Sequence, residues 1–327
     1  MSTPLVSVVM PVYNVERFVG EAVESVLQQR FKKWELIVVD DGGSDGSIAI
    51  CRAFDDPRIR IVSQANRGLA GARNTGIAHA RGRYVALLDS DDRWHRDKLL
   101  LHVIHLEANP KVDVSYSGSR MIDAIGRPLA VAMHPRLSEV AASHVLKRNP
   151  VGNGSAPVIR RKALDLVQFA HPDEAGRQCW FDETFRQSED IELWLRMAAR
   201  HNCRFEGIEG QLTDYRIVGG GLSANMIRQF ESWERAVAKA VQYAPALMKR
   251  HGGAARAYQL RYLARRAVQL GDGAFASALV RQALALHPAM ILREPLKTAT
   301  TAAAALVVRL APGLFRRVAG VRVGGAA

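Results

Sequence analysis

The chain has 327 residues, 48% hydrophobic and 24% charged, with a net charge of +13 at pH 7, and so fits one large or two ordinary domains able to bury a real core. Its three cysteines, Cys51, Cys179 and Cys203, form no CxxC pair, which argues against a zinc site or a disulfide framework and suits a reducing compartment. The positive charge is concentrated late: from Glu231 onward there are 15 Lys/Arg against 4 Asp/Glu, whereas residues 1–230 carry 30 against 28.

Such a basic segment attracts nucleic acid or an anionic membrane surface. Aromatics make up only 7% of the chain and do not alternate with the arginines, so no nucleic-acid partner is expected. No stretch reaches the ~20 apolar residues of a transmembrane helix. The longest charge-free apolar run, Thr298–Val308, has 11 residues and ends at Arg309. The first apolar run, Leu5–Met10, is strand-length and follows no basic region, so no signal peptide is expected. The expected location is cytoplasmic, peripheral on the inner face of the cell membrane.

In chain order, Leu5–Met10 reads as a buried strand stopped by Pro11, with Val12-Tyr13-Asn14 as a turn. Glu16–Gln29 has helical spacing, with Phe18, Ala22, Val23, Val26 and Leu27 on one face. Trp34–Val39 is a second strand ending in Asp40-Asp41-Gly42-Gly43, Ser47–Phe54 a helix and Arg58–Val62 a third strand. A Gly-rich stretch, Asn66–Gly76, leads into a helix through Ala80. Arg83–Leu88 is a fourth strand, ending in Asp89-Ser90-Asp91-Asp92. This β-α-β-α-β-α-β order predicts an α/β fold with a doubly wound, mostly parallel sheet whose strand ends gather polar groups where a nucleotide binds. Lys98–Ala108 reads as a helix, Val112–Tyr116 as a strand and Met121–Val131 as a hairpin turning near Gly126. Ser155–Ile159 is a strand feeding the helix Arg161–Gln168, and Ser188 starts a strong helix carrying Glu189-Asp190. Phe205–Thr213 and Tyr215-Arg216 return to the sheet, and Gly219-Gly220-Gly221 breaks the chain. The expected catalytic domain is 1–225. A basic helical extension, 226–327, would contain a tetratricopeptide-like hairpin at about 258–288 and an amphipathic tail at about 296–323 that could lie on a membrane surface.

Four motifs carry candidate chemistry, each with a plain structural counterpart. The acids Asp89 and Asp91, two apart, would face one side of an extended chain and hold a divalent ion, or the segment is a polar loop with Asp91 or Asp92 capping the helix at Lys98. Asp40-Asp41 would accept from a nucleobase or a ribose, or belong to an Asp/Gly/Ser turn. The Gly71-Ala72-Arg73-Asn74 turn would set Arg73, with Arg67, at a helix N-terminus against a diphosphate, or be a cap. Asp190, in a first helical turn where the dipole keeps it ionised, would be a base, or would only complement that dipole.

The segments Val8–Asn14, Val38–Asp41, Gly71–Gly76, Leu88–Asp92, Phe181-Asp-Glu, Glu189-Asp190 and Trp194 together resemble the family 2 glycosyltransferases of the GT-A fold, over roughly residues 5–225. The resemblance implies an inverting enzyme with a nucleotide-sugar donor, here a UDP-sugar, a glycan or lipid-linked acceptor, and Mn2+ or Mg2+. By motif position, Pro11, Val12, Tyr13 and Asn14 would line the nucleoside pocket and Asp40 or Asp41 would contact the base. Arg73 would approach the phosphates. Asp89-Ser90-Asp91 would be the DxD motif, with Asp89 nearer the ribose and Asp91 on the metal, and Asp190 the catalytic base. Gly43 departs from the usual Ser, and the Q-x-x-R-W motif of processive synthases is missing, which implies transfer of single sugars. Two other classes compete: a catalytically inactive nucleotide- or partner-binding scaffold, against which complete acid motifs argue, and a nucleotidyltransferase, which would need a Gly-rich loop with Lys or Arg where Pro11–Asn14 stands.

Overall fold

The computed structural model describes residues 3–218 and 226–311. The expected chain break at 219–221 and the tail beyond 311 lie outside the described residues. The chain folds into two compact units, one of residues 1–145 and 149–243, the other of residues 146–148 and 244–327.

The first unit is built on a nine-stranded sheet. In chain order it comprises β1 (Val6–Val12), α1 (Val19–Leu27), β2 (Trp34–Asp40), α2 (Ser47–Arg52), β3 (Ile59–Ser63), α3 (Gly68–His79), β4 (Tyr84–Leu87), β5 (Arg93–Trp94), α4 (Lys98–Ala108), β6 (Val114–Ile122), β7 (Pro128–Met133) and α5 (Ala142–Lys147, whose last two residues group with the second unit). It continues with β8 (Val158–Arg160), α6 (Arg161–Val167), β9 (Phe169–Ala170), β10 (Gln178–Cys179), α7 (Glu189–Ala199), β11 (Phe205–Arg216) and α8 (Met226–Tyr243). The sheet order is β3-β2-β1-β4-β8-β6-β11-β5, with β7 on β6, while β9 and β10 pair as a separate ribbon. Strands β3, β2, β1 and β4 run parallel, as do β6 and β11; β8, β5 and β7 pair antiparallel.

Period-2 alternation sorts the side chains to two faces. Val6, Val8, Met10 and Val12 of β1 enter one core with Val19 and Val23 of α1 and Leu99 and Leu106 of α4. Val9, Val85 and Leu87 enter the other, with Ile77 of α3, Leu164 of α6 and Leu193 and Trp194 of α7. Trp194 meets Phe205 edge to face at 6.1 Å, which fastens α7 to β11.

Pro11 does not stop β1, which runs on to Val12. Odd residues of β1 turn their backbone toward β4, and that ladder ends at Val9↔Leu87, so the missing N–H of Pro11 faces no partner strand. The segment Gly71–Asn74 is not a turn but lies inside α3. Its glycines serve close packing: a Cβ on Gly76 would sit 2.2 Å from Val9 Cγ1, so glycine lets α3 lie directly on β1. The unit extends through α8 to Tyr243 rather than ending at 225. Trp233, Ala236 and Ala240 of that helix are buried, and Lys239 reaches Asp182 and Glu192, each at 2.8 Å.

The second unit contains α9 (Pro245–Gln269), α10 (Gly273–Leu286), α11 (Met290–Arg293) and α12 (Pro295–Leu310). The expected hairpin at 258–288 is longer, and α12 closes it as a third helix. Gly273 permits this, since a Cβ there would lie 2.2 Å from the Arg309 nitrogen. Asp272 caps α10 by accepting from the Phe275 N–H at 2.9 Å.

Candidate active site

The acids after β4 sit on a turn, not on extended chain: the Asp92 N–H donates to the Asp89 carbonyl at 3.0 Å. Each of the three carboxylates has a different environment. Asp89 accepts from Arg73 Nη2 at 2.6 Å, and its N–H donates to Ser155 Oγ at 2.9 Å. Asp92 is 1% exposed and accepts from Ser155 Oγ at 2.6 Å and the Arg216 N–H at 2.8 Å. Burial, then the charges of Asp91 and Asp89, raise its pKa well above the usual carboxylate range. It caps no helix; Asp97 precedes α4 instead. Asp91 accepts no side-chain hydrogen bond among the described residues. Burial, then the Asp89 charge, push its pKa up to about 6, with its own N–H and Arg216 opposing. Ser90 between them is buried.

Two carboxylates side by side, one held by an arginine and the other with raised proton affinity, form a hard oxygen donor set of the kind Mn2+ and Mg2+ take. The residues present fit such an ion.

Arg73 is buried at 1% exposure and bridges two acids: Nη2 donates to Asp89 and Nη1 to Glu189 Oε1, both at 2.6 Å. Burial pulls its pKa down, but Asp89, Glu189 and Asp190 more than offset this and raise it. Gly154 leaves room for the bridge, since a Cβ there would lie 2.2 Å from Arg73 Nη2 and 2.6 Å from Asp89 Oδ2. Arg73 thus lies within α3 rather than at its N-terminus, with both terminal nitrogens on carboxylates. Arg67 likewise pairs with Glu174.

The bridge joins the β4 turn to the start of α7. Ser188 precedes α7 at φ +60°, a left-handed conformation uncommon outside glycine, and Glu189 and Asp190 follow in the first turn. Asp190 is half-buried; its Oδ2 accepts from Asn149 Nδ2 at 3.2 Å and its Oδ1 from the Ile191 N–H at 2.8 Å. Burial, then the Glu189 charge, raise its pKa to about 7, against Arg73 and the Ile191 amide.

At the ends of β1 and β2 the remaining candidates separate. Pro11 and Val12 are buried in the strand, while Tyr13 is 51% exposed just beyond it. Asn14 holds a loop, its Oδ1 accepting from the Ser44 N–H at 2.8 Å. A Cβ on Gly43 would sit 3.0 Å from that oxygen, so glycine suits the position better than serine. Asp41, 3% exposed, accepts from the Arg67 N–H (2.8 Å), the Gly68 N–H (2.9 Å) and Gln64 Nε2 (2.7 Å). It is spent on holding the start of α3. Among the described residues Asp40 takes only the Gly42 N–H at 3.2 Å and Ser63 Oγ at 3.1 Å.

Sequence reasoning missed Glu189 as the partner of Arg73, and also Ser155, Gly154 and Arg216. Arg216 is 3% exposed; its Nε donates to the Asp91 carbonyl at 2.7 Å and its Nη2 to Glu21 at 2.9 Å, tying the turn to α1. An arginine closing the last strand of the sheet was the available signal for it; Ser155 had none. Elsewhere, one ligand atom each of His171, Cys179 and Glu183 lies within 4.8 Å of the others, but Arg177 and Asn74 already hold the Glu183 carboxylate, so an arginine supplies the positive charge there.

The model of the family described as Glycosyl transferase family 2 matches residues 7–166. The chain is 32% identical over 225 residues to TuaG of Bacillus subtilis (strain 168), a glycosyltransferase assigned to teichuronic acid biosynthesis, covering 68% of this chain and 82% of the relative. It is 29% identical over 239 residues to WfgD of Escherichia coli, a UDP-Glc:alpha-D-GlcNAc-diphosphoundecaprenol beta-1,3-glucosyltransferase, covering 72% of this chain and 86% of WfgD. In fold it is similar to the mannosyltransferase PcManGT of Pyrobaculum calidifontis, solved with GDP-Man and Mn2+, at a TM-score of 0.60 and 24% identity, covering 96% and 88% of the two chains. The GT-A-type sheet, the acid turn after β4 and these matches agree: the chain belongs to glycosyltransferase family 2.

Proposed function

We propose that the chain is an inverting, non-processive glycosyltransferase that moves a single sugar from a UDP-sugar to a hydroxyl of a glycan or lipid-linked acceptor in cell-surface polysaccharide synthesis, acting as a peripheral enzyme at the inner face of the cell membrane. The observation that carries it is the Asp89–Arg73–Glu189 bridge, which ties the acid turn of β4 to the helix start bearing Asp190. The names of the relatives support the substrate class: WfgD uses UDP-glucose and a diphosphoundecaprenol-linked acceptor.

Asp190 acts as the base. With its pKa raised to about 7, it takes a proton from the acceptor hydroxyl more readily than an ordinary carboxylate would. The freed oxygen forms the new bond to the anomeric carbon as the bond to the diphosphate breaks on the opposite face. Asp91, with Asp89 beside it, would hold Mn2+ or Mg2+, whose positive charge, when bound, stabilises the departing diphosphate. Exposed Tyr13 offers a stacking surface for the base, and Asp40 is the less committed acceptor for its N–H. Carboxyls with raised pKa values cluster at acid–base sites, and Asp190 is such a group, which favours the enzyme over a binding scaffold.

Replacing Asp190 by Asn tests this reading. Turnover should fall by ~10²–10⁴-fold while calorimetric donor affinity stays near wild type. Near-normal transfer by Asp190→Asn overturns the assignment of the base.

A further inference from the structure

Among the described residues, six of the nineteen exposed large apolar side chains fall within 291–310: Ile291, Leu292, Leu296, Leu306, Val307 and Leu310. Their arrangement on α12 is ordered. At about 100° per residue, the buried Thr298, Thr301, Ala305 and Val308 fill an arc of about 80° facing the unit's interior. Leu296, Leu306, Val307 and Leu310, with Ala299 and Ala303 between them, fill an arc of about 100° on the opposite side. The two charged residues of α12, Lys297 and Arg309, are exposed and lie one on each flank, each about 120° from the centre of the apolar arc.

A bare apolar arc flanked by cations is the pattern of a helix lying in a membrane interface, where lysine and arginine stems run along the apolar surface and place their charges among headgroup phosphates. The charge balance favours an anionic surface. The single acid after Asp272 is Glu294, and Arg148 and Arg261 already neutralise it. Arg293 precedes the helix, and Arg316, Arg317 and Arg322 follow it in the sequence with no acid among them. The helix does not span: its 16 residues reach about 24 Å against a hydrocarbon core of about 30 Å. Among the described residues no helix is long and apolar enough to cross a membrane.

We propose that α11 and α12 form an interfacial anchor, with Leu296, Leu306 and Leu310 inserted into an anionic phospholipid surface and Lys297 and Arg309 on its headgroups. This deepens the membrane location proposed above. Its test reads lipid binding without sugar transfer, so failure of the anchor and failure of the transferase reading are distinguishable.

The experiment is co-sedimentation of the full chain with phosphatidylcholine vesicles with and without phosphatidylglycerol. The bound fraction should rise with phosphatidylglycerol and fall with added salt. A variant carrying Leu296→Ser, Leu306→Ser and Leu310→Ser should partition at least about tenfold more weakly. Its donor affinity and circular dichroism should be unchanged, because the replaced side chains are 79%, 51% and 71% exposed. A second variant, Lys297→Glu with Arg309→Glu, should lose the phosphatidylglycerol dependence. The proposal is overturned if the wild-type chain stays in the supernatant at low salt, or if the serine variant sediments like wild type. It is also overturned if sedimentation velocity shows a dimer, broken by the serine changes, in a chain that binds no vesicles.

Discussion

Replacing Arg73 by Met separates the two roles open to this side chain. The structure gives it a bridging role: its terminal nitrogens hold Asp89 and Glu189, both at 2.6 Å, and the Glu189 side chain is 7% exposed against 22% for Asp89. Removing one partner of a buried ion pair typically costs 3–5 kcal/mol, because the other charge is left without compensation. Glu189 would bear most of that cost, while Asp89, in partial contact with solvent, would bear little, so the loss should lie near the lower end, ~3 kcal/mol. For a unit of this size each kcal/mol moves the midpoint by about 2–4 °C, so thermal unfolding should shift down by about 6–12 °C. The double variant Arg73→Met with Glu189→Gln removes the stranded charge and should recover part of the loss, which a thermodynamic cycle would show as coupling. Arg73→Lys should not restore wild type, since one ammonium lacks the planar fork that spans both acids. A role at the diphosphate predicts the reverse: near-normal stability with weakened donor binding. Arg73→Met unfolding within ~1 kcal/mol of wild type would refute the bridge.

Asp91→Ala should weaken Mn2+-dependent nucleotide binding measured by calorimetry; unchanged affinity would show that Asp91 does not hold the ion. Transfer should rise with pH through about 7, because Asp190 works deprotonated and its pKa is raised to about 7. The same shift has a stability cost of the opposite sign. A carboxyl with a raised folded-state pKa favours the folded chain below its ordinary value of 3.8, and that contribution disappears as pH rises through about 7. Asp190→Asn should therefore unfold with less pH dependence between 4 and 7 than wild type. At the end of β2, Asp41→Ala strands two backbone N–H groups and should cost at least ~1.5–3 kcal/mol in chemical unfolding. Asp40→Ala should leave stability within ~1 kcal/mol of wild type and lower nucleotide affinity.

The architecture was legible because apolar runs and helical spacing are local signals. Helix α4 spans Lys98–Ala108 as its periodicity predicts, and the first four strands stand where the apolar runs are. What failed were readings that depend on a neighbour. Pro11 reads as a stop, but its missing N–H points past the end of the β4 ladder and costs the strand nothing. Gly71 reads as part of a turn and Gly76 as the end of a Gly-rich entry to a helix, but both lie within α3, and the sheet surface beneath it demands a missing Cβ at Gly76. The two-residue strands β5, β9 and β10 are too short to carry periodicity. The acids were found as a cluster, but their separate roles are assigned by groups 63, 116 and 124 residues away along the chain: Ser155 on Asp92, Glu189 on Arg73 and Arg216 on Asp92.

Those distant groups explain why three carboxylates within four residues can coexist. Each ionised carboxylate raises the proton affinity of the next, and burial adds to the effect. Asp89 is stabilised by a guanidinium that Glu189 in turn helps to hold, so one arginine serves two acids. Asp92 gives up its place at the surface and becomes a strut between β4, Ser155 and β11, close to the buried Lys98, whose own pKa burial lowers to about 7 despite the Asp92 charge. Among the described residues Asp91 receives neither a guanidinium at hydrogen-bond distance nor a hydroxyl; Arg216 spends its Nε on the Asp91 carbonyl and so fixes the backbone rather than the carboxylate. The fold thus anchors both neighbours of the central acid and its main chain, while its oxygens keep a proton affinity near pH 6. Of the three, it is the acid with most to gain from a divalent cation, and the one whose removal disturbs the fewest internal bonds.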